Sequence, residues 1–251
     1  MSRPVLEAED LHTFYGKSHI LHGVGLEVRE GEIVTLLGRN GAGKTTFFNL
    51  ISGFLAPTSG RILFDRQNIT NLLPARRVWR GIARTFQVTE IFPELTVREN
   101  LRIAVEVAAG YRLRPWISRD ADAEISTRVT DLSDKGGLAD KEDRPVGELS
   151  HGDQRATEIM MALALNPRLL LLDEPTAGMG DQETYSITRL IRQLHQDHRL
   201  SIVLIEHDMR VVFHLADRIM VLAEGAMLAE GTPQEIAANE AVQAAYLGEA
   251  A

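Results

Sequence analysis

Gly38-Arg39-Asn40-Gly41-Ala42-Gly43-Lys44-Thr45 is the stretch on which the reading of this 251-residue chain turns. Ahead of it, Glu32-Ile33-Val34-Thr35-Leu36-Leu37 reads as a buried strand; behind it, Thr46-Phe47-Phe48-Asn49-Leu50-Ile51 reads as the first turns of a helix. Glycines at 38, 41 and 43 let the backbone curl so that successive N–H groups face one anion, and the helix adds the positive end of its dipole. Lys44 would reach the β- and γ-phosphates and the Thr45 hydroxyl would hold Mg²⁺. A glycine-rich turn with a chance lysine is the alternative, but it does not account for strand, loop, Gly-Lys-Thr and helix in the required order. The stretch therefore reads as a nucleoside-triphosphate site.

Working outward, the segments Val5–Leu11, Gly23–Val28, Ile33–Leu37 and Arg61–Phe64 alternate apolar and polar residues between glycine turns, as strands around the helix that follows the loop do. Between residues 89 and 148 the character changes. Val97–Val107 and Asp122–Leu132 have helical spacing with the polar stretch Gly110–Asp120 between them, which predicts an inserted α-helical subdomain. Downstream, Ser150–Leu165 and Thr184–His195 predict helices, and Leu169-Leu170-Leu171-Leu172 and Ser201-Ile202-Val203-Leu204-Ile205 predict strands buried on both faces. A short helix over Val211–Ala216, a hairpin around Glu224-Gly225 and a helix over 234–247 complete the chain. The expected fold class is α/β, a P-loop NTPase core with a mixed, largely parallel sheet, an N-terminal antiparallel β subdomain and the helical insertion. Residues 1–88 and 149–251 form the core of one domain, and a ligand would sit at the carboxyl ends of the strands.

Asp173-Glu174 directly follows the four leucines, and two carboxylates at a strand end are costly unless they meet a cation or a reactant. Asp173 is the expected partner of Mg²⁺, directly or through water. Glu174 is placed to polarise a water for in-line attack on the γ-phosphate. His207, just past the second buried strand in Ile205-Glu206-His207-Asp208, could orient that water. Gln87, in Arg84-Thr85-Phe86-Gln87, lies at the junction of core and insertion, where an amide could touch metal and water or remain a surface glutamine. In Leu149-Ser150-His151-Gly152-Asp153-Gln154, Ser150 reads as a helix N-cap with Asp153 completing an approximate capping box; a helix start with serine and glycine is also an anion site.

The net charge of −8 argues against nucleic acid as a bulk electrostatic partner. Arg76, Arg77, Arg80 and Arg84 form a local basic cluster that reads as a solvated helix face, with an interaction surface as the alternative. No cysteine is present, which excludes disulfides, thiolate metal sites and cysteine nucleophiles. The first residues show no secretory pattern, and no segment approaches the roughly 18 uncharged apolar residues of a membrane span. His12, His19, His22, His195 and His198 show no adequate set of metal ligands, and His214 reads as a helix-surface residue.

In this order, Tyr15, Gly38–Thr46, Gln87, Leu149–Gln154, Leu169–Glu174 and His207 make the chain resemble the ATP-binding cassette ATPases, the nucleotide-binding subunits of membrane transporters. The resemblance covers nearly the whole chain. It implies ATP and Mg²⁺ as cofactors. Tyr15 would stack on adenine, and Gly38, Asn40, Gly41, Ala42, Gly43, Lys44, Thr45 and Thr46 would hold the nucleotide. Lys44, Gln87, Glu174 and His207 would be catalytic, and Thr45, Gln87 and Asp173 would lie at the metal. It also implies a head-to-tail dimer, with the same chain or a related one, in which Ser150 and Gly152 reach the ATP on the partner's P-loop. Further partners would be permease subunits docked on the helical subdomain and, indirectly, a solute-binding protein, on the cytoplasmic face of the cell membrane. Arg84-Thr85-Phe86-Gln87 with Phe92 and Leu95–Leu101, Pro175-Thr176-Ala177-Gly178-Met179, Glu206-His207-Asp208-Met209 and the short end after Gly231-Thr232-Pro233 look like branched-chain amino acid importers. His151 and Ala177-Gly178-Met179 with Asp181 are also similar to urea and short-amide importers. The chain departs from the family at His151, at Asp153, and at Gly180, where an aspartate is usual. A non-transport cassette acting on nucleic acid or ribosomes would be expected to carry coiled-coil insertions or a second cassette, and a metabolic P-loop kinase has no use for Leu149–Gln154.

Overall fold

The computed structural model describes residues 3–85, 91–111 and 118–247. Its elements in chain order are β1 (Pro4–Tyr15), β2 (Ser18–Arg29), β3 (Ile33–Leu37), α1 (Lys44–Ser52), β4 (Ser59–Phe64), β5 (Gln67–Asn68), α2 (Pro74–Val78), β6 (Ile82–Arg84), α3 (Val97–Ala108), α4 (Arg119–Lys135), α5 (His151–Ala164), β7 (Leu169–Asp173), α6 (Asp181–His198), β8 (Ser201–Ile205), α7 (Met209–Leu215), β9 (Arg218–Ala223), β10 (Ala226–Gly231), α8 (Pro233–Ala237) and α9 (Glu240–Leu247).

Every residue of β3, β7 and β8 is buried, as their predominantly apolar sequences favour, with Thr35, Asp173 and Ser201 the polar members. They lie in a six-stranded sheet of order β10-β9-β3-β8-β7-β6, parallel from β9 through β6 and antiparallel only at the β9–β10 hairpin. The register aligns their ends: Ile205 stands opposite Leu36 on one side and Asp173 on the other. The chain therefore leaves β3, β8 and β7 at one level, delivering Gly38, Glu206-His207 and Glu174 to the same rim.

A second, antiparallel sheet of order β2-β1-β4-β5 covers the other side of α1. Phe47, Phe48, Leu50 and Ile51 of α1 fill the space between the sheets with Leu6, Val28, Ile62, Leu171 and Val203. Burying each of the two phenylalanines contributes about 1.5–3 kcal/mol. On the opposite face, α3, α4 and α5 pack through Leu101, Val129 and Met160 into a core continuous with Leu170, Leu172 and Leu204. The entry to α3 is set locally. Thr96 and Glu99 form a reciprocal capping box, and the fully buried Asn100 bonds backbone atoms of Phe92, Leu95 and Thr96.

Three local expectations are corrected. The C-terminal helix expected over 234–247 is two helices, because the Asn239 carboxamide accepts the Val242 N–H at 3.1 Å and starts a new helix. The capping box at Ser150 is half formed. The Ser150 hydroxyl accepts the Asp153 N–H at 3.2 Å, but the Asp153 carboxylate takes the Ser150 hydroxyl at 3.1 Å and the Lys141 ammonium at 2.9 Å.

The arginine cluster is not a solvated face. Arg76 and Arg80 are exposed, whereas Arg77 is 1% exposed and the Arg84 side chain 6%. The Arg77 guanidinium donates to the carbonyls of Leu50, Ile51, Leu72 and Thr70, closing the C-terminus of α1, where carbonyls lack helical partners. Burial pushes its pKa down to about 10, still far above neutrality. Replacing it by methionine leaves those carbonyls without their charged donor. Arg77→Met is expected to lower unfolding free energy by about 3 kcal/mol, read as a lower urea midpoint at unchanged m-value; an unchanged midpoint refutes this account of α1.

Candidate nucleotide site

The loop between β3 and α1 is shaped by backbone that only glycine holds cheaply. Gly41 and Gly43 sit at φ +84° and +99°. A β-carbon on Gly43 would also lie 2.6 Å from Leu21 Cδ2. Gly43 is the N-cap of α1 and no side chain caps that helix, so its first N–H groups face the loop as a phosphate cradle does. Lys44 is buried, and its Nζ donates to the carbonyls of Gly38 at 2.6 Å and Arg39 at 3.2 Å. Burial draws the ammonium below the usual lysine range, and the Glu174 and Asp173 carboxylates pull it partly back. Thr45 is exposed on the first turn of α1, while Thr46 is buried behind it. Tyr15, at the free end of β1, is half exposed.

At the neighbouring strand ends the acids and the histidine come together. His207 Nε2 lies 2.8 Å from Glu174 Oε1, and both remain partly open to solvent. Glu174 is held at φ +47°, a left-handed conformation costing roughly 1–2 kcal/mol for a residue with a β-carbon. Its N–H donates to Ile205 O at 3.0 Å, and its carbonyl accepts from Ala177 N at 3.1 Å and Arg155 Nη2 at 3.4 Å. Asp173 is buried with Arg84 Nη2 3.0 Å from its Oδ2. Burial pushes the Asp173 carboxyl above the usual aspartate range, Arg84 opposes the rise, and the Glu174 charge adds to it. The Thr45 hydroxyl and the Asp173 carboxylate are hard oxygen donors, the type that Mg²⁺ takes, so the donor set fits that ion.

The other half of the sequence constellation is elsewhere. Ser150 and His151 are exposed at the start of α5, and Glu183 of α6 accepts the Gly152 N–H at 3.2 Å. That N–H and the Ser150 hydroxyl hold the Glu183 carboxyl below its usual range. The cavity that Ser150, Gly152 and Asp153 line is walled by Lys135, Lys141, Glu183 and Tyr185 and includes no P-loop residue. Gly180 is the N-cap of α6, and Asp181 pairs with Arg210 at 3.1 Å. Gln87 lies outside the described residues.

Two residues with no role assigned from sequence organise this rim. Buried Glu206 accepts the Thr176 N–H at 3.0 Å and the His207 N–H at 2.9 Å, so one carboxylate fixes the loops after both β7 and β8. The signal was an acid immediately before His207 at the end of an apolar strand. Arg84 was legible only as a member of a basic cluster. For Glu183, an acid in the first turn of an amphipathic helix, no sequence signal existed.

Residues 21–177 match the model of the ABC transporter family, and residues 226–251 match that of the branched-chain amino acid ATP-binding cassette transporter. The chain is 41% identical, over the full length of both, to the high-affinity branched-chain amino acid transport ATP-binding protein LivG of Salmonella typhimurium. It is 39% identical, again over both full lengths, to the corresponding protein BraF of Pseudomonas aeruginosa. Among solved structures it is similar to the ADP conformation of an ATP-binding cassette of an ABC transporter, at TM-score 0.87 and 28% identity, covering 99% of this chain and 100% of that one. It is also similar to a dimeric cassette in a post-hydrolysis state bound to ADP and phosphate, at TM-score 0.76 and 26% identity, covering 91% and 98%. With a family match across more than half its length and a glycine cradle, a lysine, two strand-end acids and a histidine on one rim, the chain belongs to the ABC transporter family, as an ATP-binding cassette that hydrolyses ATP.

Proposed function

We propose that this cassette powers the import of branched-chain or closely related amino acids through permease partners. The match of residues 226–251 to the branched-chain family model supports that solute class. The chemistry rests on the contact between His207 and Glu174. The cradle of Gly38–Thr46 binds the phosphates, and Lys44 exchanges its carbonyl partners for phosphate oxygens. Tyr15 stacks on the adenine. Thr45 and Asp173, with Gln87, hold Mg²⁺, which when bound neutralises charge on the β- and γ-phosphates. Glu174 accepts the proton of the attacking water. His207, donating from Nε2, holds that carboxylate in one orientation and, with Gln87, orients the water.

Ser150 and Gly152 open α5 in a cavity without P-loop residues. They complete a site only if a second cassette, identical or related, brings its P-loop to them. ATP therefore favours the closed pair, and hydrolysis releases it. The helical segment 89–148 docks on the permease at the cytoplasmic face of the membrane, and a solute-binding protein feeds the permease. Among the described residues no helix is long and apolar enough to cross a membrane, so docking supplies the attachment.

Glu174→Gln is expected to lower ATP turnover by about 10²–10⁴-fold while leaving ATP binding intact. Phosphate release and fluorescent-nucleotide titration measure the two, and full turnover in the variant rejects the general-base assignment. The same variant with ATP and Mg²⁺ should elute as a dimer, and adding Ser150→Ala should return it to the monomer; a monomer in both rejects the shared site. In proteoliposomes with its permeases and binding protein, the chain should drive ATP-dependent leucine uptake. Uptake of urea or short amides in place of leucine would reassign the solute.

A further inference from the structure

Arg84 is held more fully than an ion pair needs. Its Nη2 donates to Asp173 Oδ2 at 3.0 Å. Its Nη1 donates to Asn49 Oδ1 at 2.7 Å and lies 2.8 Å from Ser52 Oγ. The guanidinium carbon sits 5.5 Å from the centre of the Phe48 ring. Asn49, Ser52 and Phe48 belong to α1, whose first turn carries Thr45; Asp173 ends β7. One planar, buried cation thus bridges the two elements that carry the oxygen donors assigned to magnesium. Ser52 is itself fixed, its hydroxyl donating to Phe48 O at 2.6 Å, so the anchor on α1 is rigid.

We propose that Arg84 is a positioning residue for the magnesium–ATP site, locking the rotation of the Asp173 carboxylate and its register against α1. Arg84 engages the carboxylate through Oδ2. A guanidinium does this because its donors form a fixed fork: one end takes the carboxylate while the other takes two acceptors on α1. A lysine ammonium has the charge without the fork. Groups that orient metal-binding side chains in this way govern metal affinity without touching the metal. Arg84 also lines the cleft between α3 and α5, with Ile103, Val107 and Met161. The inference rests on the proposed role of Asp173 and deepens it.

The test is binding, not turnover. A fluorescent ATP analogue is titrated onto the purified chain in Mg²⁺ and in EDTA, for the wild type and for Arg84→Gln, Arg84→Lys and Asp173→Asn. Arg84→Gln should lose about 10- to 100-fold of the affinity gained on adding Mg²⁺, with binding in EDTA unchanged. Arg84→Lys should restore only part of the gain. An Arg84→Gln protein that keeps the whole gain while Asp173→Asn loses it overturns the inference alone. If both keep it, the metal role of Asp173 fails instead. Equal losses with and without Mg²⁺ mark Arg84 as a purely structural group and also overturn the proposal. Should Arg84→Gln not fold, Asn49→Ser, which removes one anchor of the fork, decides: a selective loss of the Mg²⁺ gain supports the proposal, and an unchanged gain overturns it.

Discussion

Parallel hydrogen bonding among three fully buried strands is the constraint from which the rest follows. β3, β8 and β7 are buried at every residue and predominantly apolar, so they have to lie side by side under covering layers. Once Leu36, Ile205 and Asp173 stand in register, the residues that follow them emerge together. The glycine loop, Glu206-His207 and Glu174 are thereby gathered on one rim from distant parts of the chain. Glu174 takes a left-handed backbone conformation there, a strain sustained by bonds from both of its peptide groups.

Charges buried behind this rim are matched one to one with partners, since an uncompensated charge in a low-dielectric interior costs several kcal/mol. Asp173 meets Arg84, Arg155 meets Glu158, and Glu206 is wrapped in N–H donors. The side chains of His207 and Glu174 are left partly open to solvent. They are paired with each other at the edge of the rim. A matched interior and a partly open pair are thus two parts of one electrostatic arrangement, joined at β7, where Asp173 belongs to the first and Glu174 to the second.

The glycine loop, the leucine strand ending in two acids and the histidine after the second strand were legible because each is a local pattern with a local cause. The parallel sheet, the β9–β10 hairpin and the helices α3 to α6 were legible for the same reason. What misled were mainly residues whose partners are remote in sequence. Arg77 and Arg84 read as surface charges because nothing near them announces the carbonyls of α1 or the carboxylate of Asp173. Asp153 read as half of a capping box because its competitor, Lys141, lies on a different segment. Asn239 divides the last helix through its own capping bond, a small local preference hidden inside a helical pattern.

Local chemistry in the sequence was enough to determine an α/β core with a glycine-rich loop of P-loop form, and to single out Lys44, Asp173, Glu174 and His207 as the groups expected to act there. It was enough because glycine conformations, strand burial and helix dipoles act over a few residues. Only the folded chain decided that His207 reaches Glu174, that Glu206 holds both of their loops, and that Arg84 joins α1 to Asp173. Those contacts depend on strand order and register, which arise from packing the whole sheet and are encoded in no single stretch of it.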